Sequence, residues 1–401
     1  MSTQPLRMAV VGAGPVGLAL AVHAAHQLPQ AQVTLFDARA LDADLQQDSR
    51  TLALALGSVH LLQRLQAWPQ AAAQLISEVH VSQAPPTLYP RWARPEVWLR
   101  AGELGVPMLG AVLRYGDLLG PLQQAWLSAQ GTATQRGEPQ RLRSAFGTTV
   151  ATLGQRAGRV QLDAGVTEEF DLCVLAEGGV LAQQARKAIR HDYGQTAWVG
   201  NVELSGATPG RAIERFSRHG PVALLPLPPA PGAAGRAALV WCVQSASDPV
   251  RELTDAQRVV VLNHLLDEAA GRVTAIGPLK AFALGMNAAA SLVNARLVCI
   301  GNAAQTVHPV AGQGLNLGLR DAVALVAALR AHSDVDAALR RVTWARAGDR
   351  AGMILATDFL ARSFTWPWPG LGTARGLGLA ALQAATPLKN ALARQMMFGQ
   401  R

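Results

Sequence analysis

Cysteine, aromatic residues and charge are all scarce in this chain. Of its 401 residues 3 are cysteine, 5% are aromatic and 16% are charged, whereas 50% are hydrophobic. Cys173, Cys242 and Cys299 lie far apart, so their number and spacing exclude a disulfide framework and a cysteine-based metal site. The low charge and high hydrophobic content exclude a disordered chain. We therefore expect a globular cytoplasmic protein with buried, reduced thiols and no metal.

Acidic residues are outnumbered, since 27 Asp and Glu stand against 36 Lys and Arg and give a net charge of +9. Such a charge attracts nucleic acid, anionic lipid or acidic partners without distinguishing among them. The basic residues are scattered and match no recognition module, so we expect no nucleic-acid binding. The chain is also longer than one hydrophobic core supports, which predicts at least two packed units.

Long uninterrupted hydrophobic runs are also missing. Residues 8 to 25, MAVVGAGPVGLALAVHAA, come closest to a signal peptide or a membrane span. Three glycines and a proline interrupt this run at positions that have another physical use. We therefore expect a soluble or peripheral protein and reject both of those interpretations.

The start of the chain has the pattern strand, glycine turn, helix, strand over residues 7 to 37. The GxGxxG turn follows a strand, and its glycines allow a tight turn, a close approach to pyrophosphate and close helix packing. The helix that follows points free N–H groups at phosphate. A carboxylate ends the second strand, 20 positions after the last glycine, where it can accept hydrogen bonds from a ribose. A chance glycine-rich turn is the alternative; the context favours dinucleotide binding by Gly12, Gly14, Pro15, Val16, Gly17 and Asp37.

A second glycine-rich turn distinguishes FAD from NAD. Residues 301 to 321, GNAAQTVHPVAGQGLNLGLRD, lead from an apolar strand into a second helix start near Gly314. A long cofactor needs two such supports, which favours FAD. The N–H groups of Gly314, Leu315 and Asn316 would then stabilise the negative charge on reduced flavin. The alternative is a connection that only turns the chain.

The remaining pattern predicts an α/β fold in which a Rossmann-like FAD-binding domain with a parallel sheet carries an inserted α+β substrate domain and a helical C-terminal region. Apolar strands at 171 to 179 and 296 to 304 should join the first sheet. β-type runs over 198 to 245 precede a helix that opens at Thr254 with Gln257 as a capping box. The predicted domains are 1–78, 100–180 and 286–335 for FAD, 79–99 and 181–285 for substrate, and 336–401 for the C-terminal region.

The chain resembles the FAD-dependent aromatic hydroxylases related to p-hydroxybenzoate hydroxylase, and among them the ubiquinone-biosynthesis hydroxylases. Five segments carry this resemblance: GAGPVGLALA, RTLALALGS at 50 to 58, ERFSRHGPVALLPL at 214 to 227, residues 301 to 321, and TDFLARSF. LVWC at 239 to 242, and Gln305 where many relatives have His, resemble the 2-polyprenyl-6-methoxyphenol hydroxylase branch.

The resemblance implies further cofactor contacts. Arg50 would lie beside the flavin, and the turn after the second strand would contact the ribityl and pyrophosphate region. The acidic motif of the family, Ala-Asp-Gly with a Ser three positions later, here reads Ala176, Glu177, Gly178 and then Leu181. The longer acid and the missing hydroxyl put in doubt how this turn organises the cofactor and NAD(P)H. The predicted contacts are Arg50, Glu177, Gly178, Gly301, Asn302, Pro309, Gly312, Gly314, Leu315 and Asn316.

The resemblance also implies an activity: NAD(P)H reduces the FAD, and O₂ supplies the oxygen placed on a polyprenylated phenol. Only one dinucleotide fingerprint is present, so NAD(P)H should bind transiently. His308 could move the phenol proton, or it could be a structural loop histidine. Gln305 could bond flavin or substrate, or the loop backbone. Other ubiquinone-synthesis proteins are expected partners.

The chain after Asp358 lacks acidic residues and carries Arg362, Arg375, Lys389, Arg394 and Arg401. With Trp366 and Trp368 this tail favours anionic lipid, and so a peripheral position on the inner face of a membrane. A packed helical tail is the alternative.

Two rival functions stay open at the sequence level. A flavin-dependent reductase or dehydrogenase of the same fold would leave no oxygen from O₂ in its product. A non-catalytic member of a ubiquinone-synthesis complex, which the changes at Glu177 and Leu181 allow, could not be reconstituted with FAD.

Overall fold

The strand, turn, helix and strand predicted at the start of the chain are present in the computed structural model, which describes residues 5–84, 95–156, 158–177, 189–229, 235–309, 312–363 and 370–399. The helices are α1 Pro15–Gln27, α2 Leu56–Arg64, α3 Ala101–Leu104, α4 Tyr115–Gln135, α5 Asp255–Leu265, α6 Gln313–Ala331, α7 Val335–Ser363, α8 Leu371–Ala384 and α9 Thr386–Phe398. The strands are β1 Arg7–Val11, β2 Gln32–Asp37, β3 Thr51–Ala55, β4 Gln74–Ile76, β5 Glu78–Ala84, β6 Glu96–Arg100, β7 Gly110–Arg114, β8 Leu142–Phe146, β9 Thr152–Arg156, β10 Arg159–Asp163, β11 Thr167–Phe170, β12 Leu172–Leu175, β13 Ile189–Ser205, β14 Arg211–Ser217, β15 Gly220–Pro226, β16 Arg236–Gln244, β17 Arg272–Ile276, β18 Lys280–Ala288, β19 Val293–Asn294, β20 Leu297–Cys299 and β21 Gln305–Thr306.

The first sheet has the strand order β19-β20-β12-β1-β2-β8. The strands from β20 to β8 are parallel, and β19 pairs antiparallel with β20. β1 and β12 are almost wholly buried because helices cover the sheet, as expected for a parallel sheet. The prediction that the strands near 171 to 179 and 296 to 304 join β1 is confirmed.

The second sheet is mixed and has the order β21-β18-β13-β16-β15-β14-β5-β6, with β17 also pairing with β13. Helix α5 packs over one face, and the predicted capping box at Thr254 and Gln257 opens this helix. β5 and β6 extend one residue beyond each end of the predicted segment 79–99. β18 runs on to Ala288 because it pairs there with Ile189 and with β21. The short strand β21 therefore brings the segment before the second glycine turn into this sheet.

A buried ionic network fixes α7 against α6. Asp321 accepts a hydrogen bond from Arg346 at 2.8 Å, and Arg346 also bonds Asp349 at 2.7 Å. Asp321 is 0% exposed, so both charges are held away from water and depend on each other. The network also reaches helix α9. Arg320 lies 3.5 Å from Asp349 and donates to the Met396 carbonyl at 2.6 Å.

The C-terminal helices pack on the protein, and several basic residues of the tail bond protein groups, as in the packed-tail alternative. Lys389 is 3% exposed and bonds Glu103 at 3.0 Å, and Arg394 donates to the Leu104 carbonyl. Arg375 donates to the Ser363 carbonyl, and Arg362 pairs with Asp358. These charges are bonded to protein groups; Arg401, Trp366 and Trp368 lie outside the described residues. Among the described helices, none combines the length and hydropathy needed to cross a bilayer.

We predict that Asp321→Ala lowers the free energy of unfolding by about 3–5 kcal/mol, because it leaves the buried Arg346 charge without its main partner. Urea denaturation checks this value. Glu169→Ala, which breaks the exposed pair with Arg159, is the control and should cost less than about 1 kcal/mol. Equal losses in the two variants would show that the network does not stabilise the fold.

Candidate active site

The first glycine turn is shaped by contacts that only glycine permits. Gly12 has φ of 102°, and a Cβ placed there would lie 2.9 Å from the Glu177 nitrogen. A Cβ on Gly17 would lie 1.8 Å from the Gly12 carbonyl oxygen, so this glycine lets α1 pack directly on the turn. Two of the predicted glycines thus have the steric roles that the motif assigns them.

Gly14 faces open space instead. It is the N-cap residue of α1, with Pro15 as the first helical residue, and a Cβ placed on it would meet only Tyr115 Oη at 3.8 Å. The helix N-terminus is therefore accessible to an anion at Gly14. The cradle fits a pyrophosphate, because a side chain at this position would fill the space in front of the helix.

Three further side chains lie beside this turn: Arg39, Arg50 and Tyr115. None of them belongs to the glycine motif. Arg39 donates to the Ala13 carbonyl oxygen at 3.0 Å. Arg50 lies 4.3 Å from the centre of the Tyr115 ring and bonds Asp48. The family resemblance identified Arg50, whereas nothing in the sequence identified Arg39 or Tyr115. Each guanidinium group near the helix N-terminus is paired with a carboxylate, Arg39 with Asp37 and Arg50 with Asp48.

Asp37 ends β2 at the position predicted for a ribose contact. Its Oδ2 accepts from the Ala13 N–H at 2.6 Å and from Arg39 at 3.2 Å. Its Oδ1 accepts from the Arg39 N–H at 2.7 Å and from Arg39 Nε at 3.1 Å. Each oxygen already accepts two hydrogen bonds, so a ribose hydroxyl would have to replace one from Arg39.

Glu177 follows β12 and lies against the same turn. It is partly buried, and its pKa is raised by burial and by the neighbouring Asp37 carboxylate. The substitution of Asp by Glu in the family motif thus places a second acid near the first glycine turn. Gly178 and Leu181 lie outside the described residues.

The second glycine turn is held in place by side-chain bonds. Asn316 Oδ1 accepts from the Ala55 N–H at 2.8 Å and from Ser58 Oγ at 2.7 Å, and its Nδ2 donates to the carbonyls of Ala53 and Gly312. Gly312 is the N-cap of α6 with φ of 59°, a conformation that favours glycine. Gly314 faces open space, since a Cβ there would meet only Val307 at 3.9 Å.

The two turns meet through Val16, the second residue of α1. A Cβ on Gly318 of α6 would lie 2.8 Å from Val16 Cγ2 and 2.8 Å from Gly301 Cα. Gly301 has φ of 58° and itself contacts Val16. The structure thus brings together the two helix starts that lie some 300 positions apart in the chain. Of the other predicted contacts, Asn302 and Pro309 are exposed, and Leu315 is partly buried against the hydrophobic core around the first sheet.

His308 is buried between the second turn and the second sheet, with 1% of its surface exposed. Its Nε2 lies 3.0 Å from Gln195 Oε1 on β13, and its ring packs edge-on against Tyr193. Tyr193 donates to Asp358 of α7 at 3.1 Å. Burial lowers the pKa of His308 to about 4, although Asp358 acts in the opposite direction. The imidazole is therefore neutral near pH 7.

Gln305 has partners that the sequence did not predict. It is 0% exposed, its Nε2 donates to Asp321 at 3.2 Å, and its Oε1 accepts from Arg350 at 2.8 Å. Both ends of the amide are thus bonded to the ionic network, and the predicted contact with flavin or substrate stays a prediction. These bonds tie the segment before His308 to α6 and α7.

The sheet face that carries Gln195 combines apolar residues with Gln244 and the Glu214 carboxylate. By strand alternation Ala197 and Val199 share this face, and their partners on β16 are Cys242 and Val240. Burial raises the pKa of the Cys242 thiol, which makes it unreactive. Leu360 of α7 packs against Phe216 on the same face. The apolar side chains among them form a wall next to His308.

Comparisons with known proteins agree with this site. Residues 215–341 match the family model described as an FAD binding domain. Ubiquinone hydroxylase UbiL of Rhodospirillum rubrum is 32% identical over 97% of this chain and 88% of that protein, and 3-demethoxyubiquinol 3-hydroxylase of Escherichia coli is 29% identical over 97% of each. The structure of Klebsiella pneumoniae HpxO with FAD and uric acid matches 98% of this chain and 97% of that chain with a TM-score of 0.69, at 16% identity.

Fold and site define an FAD-dependent aromatic-ring monooxygenase, a flavoprotein oxidoreductase. The chain belongs to the ubiquinone-biosynthesis hydroxylases, a family of the FAD-dependent aromatic hydroxylase superfamily. The predicted fold class, family and FAD cofactor are thereby confirmed, whereas the roles of the individual site residues stay predictions.

We predict that Gly14→Ala lowers FAD affinity at least about tenfold while the protein stays folded, because the added Cβ fills space needed only by the cofactor. Titration of the apoprotein with FAD, followed by flavin fluorescence, measures the dissociation constant. Gly102→Ala, at a helical glycine with nothing within 4 Å, is the matched control and should bind like the wild type.

We also predict a pH effect of His308. Its folded-state pKa of about 4 lies below the ordinary 6.5, so the unfolded chain binds the proton more readily. The resulting stability is present above pH 6.5 and is lost as the pH falls towards 4. Urea denaturation at several pH values should therefore show that the free energy of unfolding falls less between pH 7 and pH 4 in His308→Gln than in the wild type. The same dependence of this free energy on pH in both proteins would contradict the lowered pKa.

Proposed function

We propose that this enzyme hydroxylates a polyprenylated phenol in ubiquinone biosynthesis, with NAD(P)H as transient electron donor and O₂ as oxygen source. The 2-polyprenyl-6-methoxyphenol step is the substrate and reaction that the residues LVWC at 239 to 242 and Gln305 favour. Relatives named as ubiquinone-pathway hydroxylases align over nearly the whole chain, which supports this proposal. The observation that carries it is the contact of the two glycine turns beside a buried, neutral His308.

The residues at the two turns fit the two ends of FAD. The start of α1 at Gly14 would hold the pyrophosphate, Asp37 the ribose, and the N–H groups from Gly314 to Asn316 the flavin ring. Arg50 and the segment Gly301 and Asn302 would complete the contacts. When bound, FAD takes electrons from NAD(P)H and activates O₂ for insertion into the ring.

The protein contributes a hydrogen-bond acceptor, an orientation and an apolar wall. His308 is neutral, and the Gln195 oxygen at Nε2 favours the tautomer with its hydrogen there. A phenol hydroxyl that donates a hydrogen bond to neutral His308 makes the ring more electron-rich, so that it accepts oxygen more readily. The apolar face of Ala197, Val199 and Val240 would hold the ring and exclude water.

We further propose that the chain divides as the sequence predicts, into an FAD-binding domain, an inserted substrate domain and a C-terminal region. The two large sheets support this division, since the first carries the glycine turn at Gly14 and the second the apolar wall. Contact with other ubiquinone-synthesis proteins and with the inner face of a membrane belongs to the same proposal.

The decisive experiment supplies the FAD-loaded enzyme with NAD(P)H, ¹⁸O₂ and a prenylated methoxyphenol. We expect one ¹⁸O atom in the product, detected by mass spectrometry. NAD(P)H oxidation without label in the product would instead identify a reductase. A protein that cannot be loaded with FAD would contradict any enzymatic role.

We predict that His308→Gln lowers kcat about 100-fold while FAD still binds, because only the hydrogen-bond acceptor is lost. The rate of substrate-dependent product formation measures this effect. His264→Gln, on the helix that covers the opposite face of the second sheet, controls for loss of a histidine. An unchanged kcat in His308→Gln would restrict this residue to a structural role.

A further inference from the structure

Helix α7 exposes large apolar side chains to an unusual degree. Trp344 is 80% exposed, Leu355 is 67% exposed and Phe359 is 59% exposed. Single exposed apolar residues are common on soluble proteins, but a contiguous set marks a contact surface. These three residues lie on one helix and therefore need a common explanation.

Helical geometry places them in one stripe. At 3.6 residues per turn, positions 344, 348, 351, 355 and 359 fall within an arc of about 80° and extend over about 22 Å of helix. The smaller residues between them are also exposed. We call this stripe the α7 apolar face; its members are Trp344, Gly348, Ala351, Leu355 and Phe359.

The face cannot turn inward, because the other side of α7 is fixed. Arg346 and Asp349 bond within the buried network, and Arg350 bonds Gln305. Met353 and Thr357 are buried on the same inner side. The exposed apolar stripe is thus a permanent surface of the fold.

Basic residues stand at both ends of the stripe and no acidic residue lies within it. Arg341 is exposed one turn before Trp344, and Arg362, which pairs with Asp358, is 47% exposed one turn after Phe359. An apolar stripe with an aromatic residue at each end and positive charge beyond it matches the interface of an anionic bilayer. Pairing with a second copy fits less well, because antiparallel stripes would bring Arg341 of one copy near Arg362 of the other.

The far end of the face adjoins the candidate active site. Asp358 bonds Tyr193, which packs against His308, and Leu360 contacts Phe216 on the apolar wall. Phe359 lies between Asp358 and Leu360 in the chain, but its side chain is exposed. A lipid-like substrate taken from a bilayer under this face would have a short route to the wall.

We propose that the α7 apolar face docks the enzyme on an anionic bilayer, from which it draws its prenylated substrate. This inference rests on the proposed function for the identity of the substrate. It assigns the membrane contact to α7 and not to the helices that follow residue 370, where Lys389 and Arg394 bond protein groups.

The test is sedimentation of the full, FAD-loaded chain with vesicles of phosphatidylcholine, with and without phosphatidylglycerol. We expect binding that requires the anionic lipid and weakens with salt. The triple variant Trp344→Gln, Leu355→Gln and Phe359→Gln should bind at least about tenfold less, since the apolar contacts are lost. The control triple Val166→Gln, Val260→Gln and Leu388→Gln changes equally exposed residues elsewhere and should bind like the wild type.

A second readout separates this proposal from the proposed function. Hydroxylation of a short, detergent-dispersed phenol should be equal in the wild type and the α7 triple variant, whereas turnover of a vesicle-embedded substrate should fall only in the variant. Wild-type protein that does not bind anionic vesicles, or equal binding by the α7 triple variant, would overturn the inference. A dimer in gel filtration that the α7 variant alone dissolves would also overturn it and assign the face to a second copy. Absence of hydroxylation in a wild-type protein that binds anionic vesicles, with weak binding by the α7 triple variant, would contradict only the proposed function.

Discussion

The close contact of Val16 with Gly301 and Gly318 is the constraint on which the rest of the site depends. Residue 318 of α6 has no room for a side chain, because a Cβ on Gly318 would lie 2.8 Å from the Val16 side chain of α1. The contact places two helix N-termini next to each other, and each offers N–H groups and a positive dipole end. One long anionic redox molecule is the ligand that can use both ends.

The buried ionic network has a different task, because it connects the flavin side of the protein to the substrate side. Asp321 belongs to α6, Arg346 and Arg350 to α7, and Gln305 to the second sheet. Buried ion pairs contribute little net stability when complete, but losing one partner is costly. We therefore regard the network as a device that specifies one relative position of α6, α7 and the loop of His308. The same α7 then carries both Asp358, which holds Tyr193, and the outward apolar stripe.

The sequence predicted the local part of this architecture well. The turn at Gly12, Gly14 and Gly17, the acid that ends β2 and the capping box at Thr254 depend on neighbours within a few residues, and such signals can be read directly. The partners of His308 could not be read, because Gln195 is 113 positions away and is one of several polar residues at the start of β13. The partners of Gln305 could not be read for the same reason, since Arg350 reaches it only after α7 folds back. Likewise, the basic tail looked solvated until Glu103 and backbone carbonyls supplied partners for its charges.

Hydrogen exchange of the apoprotein and the FAD-loaded protein tests the central claim most directly, because it reports on both turns in one experiment. If a single FAD bridges them, its addition slows exchange of the backbone amides at 12–18 and at 312–318 together, with the same dependence on FAD concentration. Protection of only one of these segments, or protection of the two at different FAD concentrations, would contradict the account.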